Sequence, residues 1–557
     1  MAEQNTQPLD RTPRRIAFDR WSVGAACIAA LVILPVAAIL WLAATPGPDI
    51  WPHLIDTALP RYLENTLVMM AGVGLLSAAI GTGAAWLVTM YRFSGVRWLE
   101  WLLLFPLAVP GYVGAYALVD FLEYAGPVQT GLRGAFGWAD ARDYWFPEIR
   151  SRGAAVIVLT MSLYPYVYLL SRAAFREQSG CSYEVARALG AGPFKRFFRV
   201  GLPLARPAIA AGTAIVMMET VNDFGVVDFF AVQTLTTGIF SVWLEMGSAA
   251  GAAQIASVIL ILVLALVAIE KASRKRGRVH RNSRQDRAVE PIALTGLQNW
   301  LAVFLCVAPV AVGFGLPVAV LGEHALSRPD RWYDPDLLRA FTHTLGVGGM
   351  AAVLTVAGGV FMVYGVRLTP HRLPRKLLPL TTIGYAAPGA VLGLGLLIPL
   401  AALDNRLADA VVALTGYDPG LLLTGSAGAI VYAYVVRFFA IGQGAADAAM
   451  GRISPSLPMA ARALGQTAGG TLRRVYAPLI RGSVATALLL VFVDSVKELP
   501  ATLLLRPFNY NTLATRVYEQ ASLEKIGDAA PAAMLVIGVG LIAVIVLART
   551  NFRRVGR

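Results

Sequence analysis

Long apolar stretches recur along this chain, and no other feature restricts its fold as much. The first six are Trp21–Ala44, Leu67–Met90, Trp101–Val119, Gly153–Leu170, Pro207–Val227 and Ala252–Ile269. Six more follow: Leu301–Leu321, Leu345–Val366, Leu377–Leu403, Gly425–Gly442, Gly482–Leu505 and Ala529–Leu547. A helix needs about 20 mainly apolar residues to cross a membrane, and it satisfies its own backbone groups while doing so. The pattern predicts an all-α integral membrane protein of about 12 transmembrane helices. Composition agrees, with 57% of the 557 residues hydrophobic and 15% charged, where a soluble chain carries charge on roughly a quarter. Arg11, Arg14, Arg15 and Arg20 precede Trp21–Ala44 as in a signal peptide. That run exceeds the roughly 7–15 residues of a signal core, so it is read as a retained span.

The net charge of +14 fits Lys and Arg retained in cytoplasmic loops, and nucleic acid is not expected as a partner. Lys271–Arg287 carries eight basic residues against one acidic and reads as a solvated cytoplasmic linker within 271–296. It separates a first unit, 1–270, from a second, 297–557. Six spans per unit place both termini in the cytoplasm. Cys27, Cys181 and Cys306 are too scattered for a disulfide framework or a zinc site, and the five histidines form no pair at ligand spacing. No metal ligand is firmly assigned.

The two units are copies. Tyr183–Pro203 reads YEVARALGAGPFKRFFRVGLP and Pro458–Pro478 reads PMAARALGQTAGGTLRRVYAP. A shift of 275 carries Ala186 to Ala461, Arg187 to Arg462, Gly190 to Gly465 and Pro203 to Pro478. Asn65-Thr66-Leu67 matches His343-Thr344-Leu345, and Pro110-Gly111 matches Pro388-Gly389, at a shift of 278. An even number of spans per unit gives the copies the same orientation, with a pathway expected near the axis between them. The repeated polar segment falls on the cytoplasmic side. Its small residues and glycine turn suit two short helices, Glu184–Leu189 and Phe194–Val200, forming a docking surface. An amphipathic helix under the lipid headgroups is the competing reading.

Within the fifth and eleventh spans, Glu219-Thr220-Val221-Asn222-Asp223 lies over Asp494-Ser495-Val496-Lys497-Glu498. Spacings of four put Glu219 with Asp223, and Asp494 with Glu498, on shared helix faces. Ionisable groups at membrane depth face a bundle interior or a pathway. Glu219, Asp223, Asp494 and Glu498, with Lys497 among them, either line the route, or the four carboxylates are neutralised by Lys497 and Arg437 in a structural lock. Gly225 and Pro500 are expected to break each helix. Tyr164, Tyr166 and Tyr168 alternate faces and read as packing residues.

The duplicated segment resembles the EAA motif of binding-protein-dependent ABC importer permeases, and nearly the whole chain looks like two such permeases fused. The resemblance implies the type I importer permease fold, two parallel six-helix repeats, and a bacterial inner-membrane location. It further implies that Glu184, Ala186, Arg187, Gly190 and Pro203, with Met459, Ala461, Arg462, Gly465 and Pro478, form two coupling loops. Met459 stands where the motif carries glutamate. No G-x-x-x-x-G-K-[ST] loop is present, so ATP is expected on two separate cytoplasmic ATPase subunits, with a periplasmic binding protein delivering cargo. Lys497–Arg506, Thr512–Thr515 and Glu219–Phe230 are similar to the ferric-iron branch. Iron(III) is a hard cation that prefers oxygen ligands. Thiamine or another small cation fits the same layout, and a stand-alone secondary transporter is the rival class.

Overall fold

The computed structural model describes residues 20–45, 51–276, 290–368, 372–382, 384 and 387–552. The N-terminal arginines 11–15, most of the basic run 271–287 and the tail after Phe552 lie outside the described residues. Among the described residues, eleven helices are long and apolar enough to span a membrane, and a bent pair, Val96–Ala108 with Gly111–Phe136, makes a twelfth broken at 94°. Each expected span has a counterpart, but four differ from the hydropathy boundaries. The ninth, expected at Leu377–Leu403, runs from Gly389 to Thr415, with Leu377–Leu380 in a separate helix, Arg372–Leu380.

The third breaks at Pro110. Proline has no N–H to give and pushes the preceding residue out of helical geometry, and Pro110 itself is extended before helix Gly111–Leu122. The fifth stops at Asn222 and the eleventh at Val496. The apolar run continues in both cases, but the chain turns and restarts as short helices Gly225–Phe229 and Pro500–Leu505. Phe194–Val200 is likewise not a separate helix. Pro193–Arg196 passes through a π turn, Phe197–Gly201, directly into Leu202–Asn222. The widened turn accommodates Pro203, which cannot donate to the preceding carbonyls. Leu472–Tyr476 does the same ahead of Pro478.

Each half is built on three mutually packed helices. In the first these are Leu59–Met90, Arg152–Arg176 and Leu202–Asn222; in the second they are Pro335–Leu368, Ala427–Gly451 and Ala477–Val496. Between helices in lipid, packing rather than hydrophobicity drives association, and small residues let backbones approach. Gly81 faces the backbone of Tyr164 and Tyr168 so closely that a Cβ would collide, and Gly359, 278 residues later, faces Gly442 and Gln443 in the same way. The repeated threonines also have a shared task. The Leu235 N–H donates to Thr66 Oγ1 (3.0 Å) and the Leu513 N–H to Thr344 Oγ1 (2.8 Å). Both contacts pin the start of a helix capped by its own Thr-x-x-Thr box.

The first helix of each half stands outside its own three-helix core, packing both on the last helix of its half and on the other half. Arg20–Ala44 packs on Gly389–Thr415 and Pro335–Leu368 of the second half. There Trp21 stacks on Phe361 at 4.8 Å, and the Tyr432 hydroxyl donates to the Leu31 carbonyl at 2.7 Å. Conversely, Gly296–Ser327 lies on the first half, with Gly313 against the Met161 carbonyl and His324 Nε2 2.9 Å from Asp120 Oδ2. A short parallel pairing of Tyr91-Arg92 with Ile292-Ala293 adds a tie that hydropathy does not signal.

Candidate functional site

A cavity of about 160 Å³ opens where the halves meet. Glu219, Asp223, Asp494, Lys497 and Glu498 all border it, together with Arg437, Asn222, Ser162, Tyr112 and Tyr166. The shared-face argument for the carboxylate pairs does not hold, because a helix end falls inside each pair. Asp223 has extended backbone just past Asn222. Its Oδ1 accepts the Val226 N–H at 2.9 Å and the Val227 N–H at 3.4 Å, capping the next short helix. Glu498 repeats this 275 residues later, accepting the Ala501 N–H on Oε1 at 3.2 Å. A carboxylate near a helix N-terminus satisfies orphan donors and interacts favourably with the helix dipole. Gly225 and Pro500 therefore begin helices rather than break them.

The duplicated Pro-Gly pair makes room for these caps. A Cβ on Gly111 would meet Val226 at 3.1 Å and Asp223 at 3.6 Å, and one on Gly389 would overlap Glu498 and Arg437. Only glycine admits so close an approach.

The electrostatics are not duplicated. Glu498 Oε2 pairs with Arg437 Nε at 3.1 Å, with both side chains nearly excluded from solvent. Lys497 Nζ lies 3.2 Å from Asp494 Oδ1 and donates to the Leu107 carbonyl of the opposite half at 3.5 Å. At the matching positions the first half has Ser162 in place of Arg437 and Asn222 in place of Lys497. Among the described residues Glu219 makes no ion pair or hydrogen bond, and Asp223 bonds only to backbone N–H groups. Four carboxylates thus face two cations, and both cations belong to the second half. No three Asp, Glu, His or Cys side chains converge as a metal cluster among the described residues.

The sequence did not single out the Leu107 carbonyl, Asn222, Ser162 or Tyr112 as cavity groups. Of the three alternating tyrosines, Tyr164 and Tyr168 are wholly buried while Tyr166 borders the cavity. Spacing separates their faces but does not say which face is the lumen.

The duplicated polar segments form two matching elbows. Helix Gly180–Ala188 ends at Gly190, with φ of 75°, and Ser456–Ala463 at Gly465, with φ of 80°. The Gly190 N–H donates to the Arg187 carbonyl and the Ala191 N–H to that of Ala186; Gly465 and Gln466 repeat this with Arg462 and Ala461. This is the Schellman closure, which favours glycine at its left-handed position. Ala461 is buried and Ala186 half-buried, whereas Glu184, Arg187, Met459, Arg462, Pro203 and Pro478 are exposed. Leu189 and Leu464, at matching positions on the turns, are each 82% exposed.

Each elbow rests on an aromatic base. Trp86 packs edge-on against Phe175 and Phe197, and a Cβ on Gly201 would strike its ring. In the second copy Tyr364 and Tyr476 occupy the equivalent places, at 5.4 Å. A large–small pair in the first copy is thus replaced by two medium rings in the second.

Residues 68–278 match the family described as binding-protein-dependent transport system inner membrane component. The chain is 24% identical over 507 residues to the Fe(3+)-transport system permease protein FbpB 2 of Haemophilus influenzae, covering 90% of this chain and 92% of that protein. It is 22% identical over 544 residues to the ferric transport system permease protein FbpB of Actinobacillus pleuropneumoniae, covering 92% and 74% respectively. The molybdenum transport system permease protein ModB of Escherichia coli is 28% identical over 212 residues, 36% of this chain and 89% of that protein.

Proposed function

We propose, from its place among the permeases of binding-protein-dependent transport systems, that this chain is the membrane-spanning subunit of an ATP-driven importer of iron(III). The family supplies an ATPase and a binding protein as partners and leaves the chemistry of ATP to the former. In this reading two ATPase subunits clasp the elbows at Gly180–Ala188 and Ser456–Ala463, one to each repeat. The termini and elbows face the cytoplasm, and the binding protein delivers cargo from the opposite side. ATP binding draws the ATPases together, the elbows pass that motion upward, and the halves rock to open the interface cavity to alternate sides.

The observation that carries the cargo class is the charge balance of the cavity. An oxyanion would need an unengaged cation, but Lys497 and the buried guanidinium of Arg437 already contact carboxylates. The surplus is acidic and oxygen-rich, which suits a hard cation. The end-to-end likeness to ferric permeases supports iron. The likeness to the molybdenum permease ModB covers only 36% of this chain.

The test is iron uptake by the chain reconstituted with its ATPase and binding protein. Uptake should require ATP, and Glu219→Gln should lower it at least about tenfold if Glu219 supplies a charged contact in transit. Uptake that persists after ATP depletion would overturn the importer in favour of a secondary transporter. Unchanged uptake in the combined Glu219→Gln, Asp223→Asn, Asp494→Asn and Glu498→Gln protein would remove the cavity from the route.

A further inference from the structure

The two walls of the cavity differ in more than charge. On the first-half wall, the Tyr112 hydroxyl and Asn222 Oδ1 have no hydrogen-bond partner, although their side chains are only 4% and 6% exposed. Buried polar atoms are almost always satisfied, so each exception needs a reason. Both border the cavity beside Glu219 and Asp223, and Tyr112 packs directly on Gly225, two residues past Asp223. Two carboxylates, an amide oxygen and a phenol thus gather on one wall without a resident cation.

On the facing wall the cation is built in. Lys497 stands at the C-terminal end of helix Ala477–Val496, where the helix dipole favours positive charge. Its ammonium, a compact charge on a flexible stem, rests between Asp494 and the Leu107 carbonyl. It belongs to one half and touches the other. Its counterpart in the first half is the neutral Asn222.

We propose that Glu219, Asn222, Asp223 and Tyr112 form an oxygen-rich subsite for a multivalent cation, and that Lys497 is a tethered counter-cation which the arriving ion displaces. An incoming ion repels the ammonium, and the cross-half contact to Leu107 is released as Lys497 withdraws. Cargo arrival thereby loosens the seam that must open for transport, and a monovalent ion, with less charge, displaces Lys497 less effectively. This rests on the reading of the cavity as the route.

The probe is terbium(III), a hard trivalent ion that favours oxygen ligands, titrated against the full chain in lipid nanodiscs. Glu219→Gln and Asn222→Ala should each weaken binding, by roughly tenfold for the charged group. Lys497→Met should tighten it by roughly three- to tenfold, because a competing charge at partly screened distance is gone. Lys497→Arg should restore the unmodified affinity to within about twofold. Thermal unfolding checks that each variant folds; if Lys497→Met misfolds, the paired Lys497→Met, Asp494→Asn protein replaces it, and if Glu219→Gln misfolds, Asp223→Asn replaces it as the test of the subsite. Terbium affinity unaltered by Glu219→Gln overturns the subsite, and affinity unaltered or weakened by Lys497→Met overturns the counter-cation. Binding that follows the proposal while iron uptake ignores Glu219→Gln would instead sink the route. The two failures are therefore separable.

Discussion

Glu498 does two jobs where its counterpart Asp223 does one: it caps a helix and neutralises Arg437, while Asp223 only caps. Glu498→Gln keeps an acceptor for the Ala501 N–H but removes the counter-charge from a buried guanidinium. Breaking such a pair from one side costs about 3–5 kcal/mol, so the unfolding temperature should fall clearly. Asp223→Asn keeps a capping side chain and disturbs no ion pair, and should cost about 1 kcal/mol or less. The combined Glu498→Gln, Arg437→Gln protein should recover much of the loss of Glu498→Gln alone, which a double-mutant cycle reads directly. Gly389→Ala offers a second check at this scale. Its methyl would overlap both Glu498 and Arg437, so it should lower transport, whereas Ala at Gly346, where nothing lies within 4 Å, should not.

Among the elements, the elbows are the most sharply specified. Replacing Gly190 or Gly465 with valine forces a β-branched residue to positive φ and should cost about 1–3 kcal/mol locally. The readout is ATPase association, which should weaken while the transmembrane helices remain folded. Leu189→Asp and Leu464→Asp should weaken it too, each by about 2 kcal/mol if the exposed leucines are anchors of the contact; binding to the ATPase on a sensor surface would measure this. Much of this level was legible in the sequence. The elbows were visible because a backbone need, positive φ after a short helix, leaves a glycine at the same place in each copy. The spans were visible because lipid demands apolar length. The break at Pro110 was not, and those at Asn222 and Val496 fall three to four residues before the expected Gly225 and Pro500. Hydropathy counts apolar residues, whereas these ends are set by a missing N–H in one case and by the carboxylates of Asp223 and Glu498 seizing the next helix's N–H groups in the others. The lumen-facing side of Tyr166 was hidden for a related reason: periodicity fixes relative faces, and only the neighbouring half decides which face meets the cavity.

For the whole molecule, the covalent link between halves is less important than their interlacing. Trp21 on Phe361, Tyr432 on Leu31, Gly313 on Met161 and His324 on Asp120 join the halves on both sides. Two polypeptides divided within 277–289 and produced together should therefore co-purify and retain iron uptake within about threefold, their mutual burial replacing the tether. Failure to co-purify would mean that these contacts are too weak to hold without the peptide connection. The first helices, shared between the halves, carry a thermodynamic corollary as well. A bundle whose outer stave is held in common with its neighbour has no complete fold of its own to retreat to. Heat should therefore melt this protein in one transition rather than two, with the calorimetric and van't Hoff enthalpies in agreement.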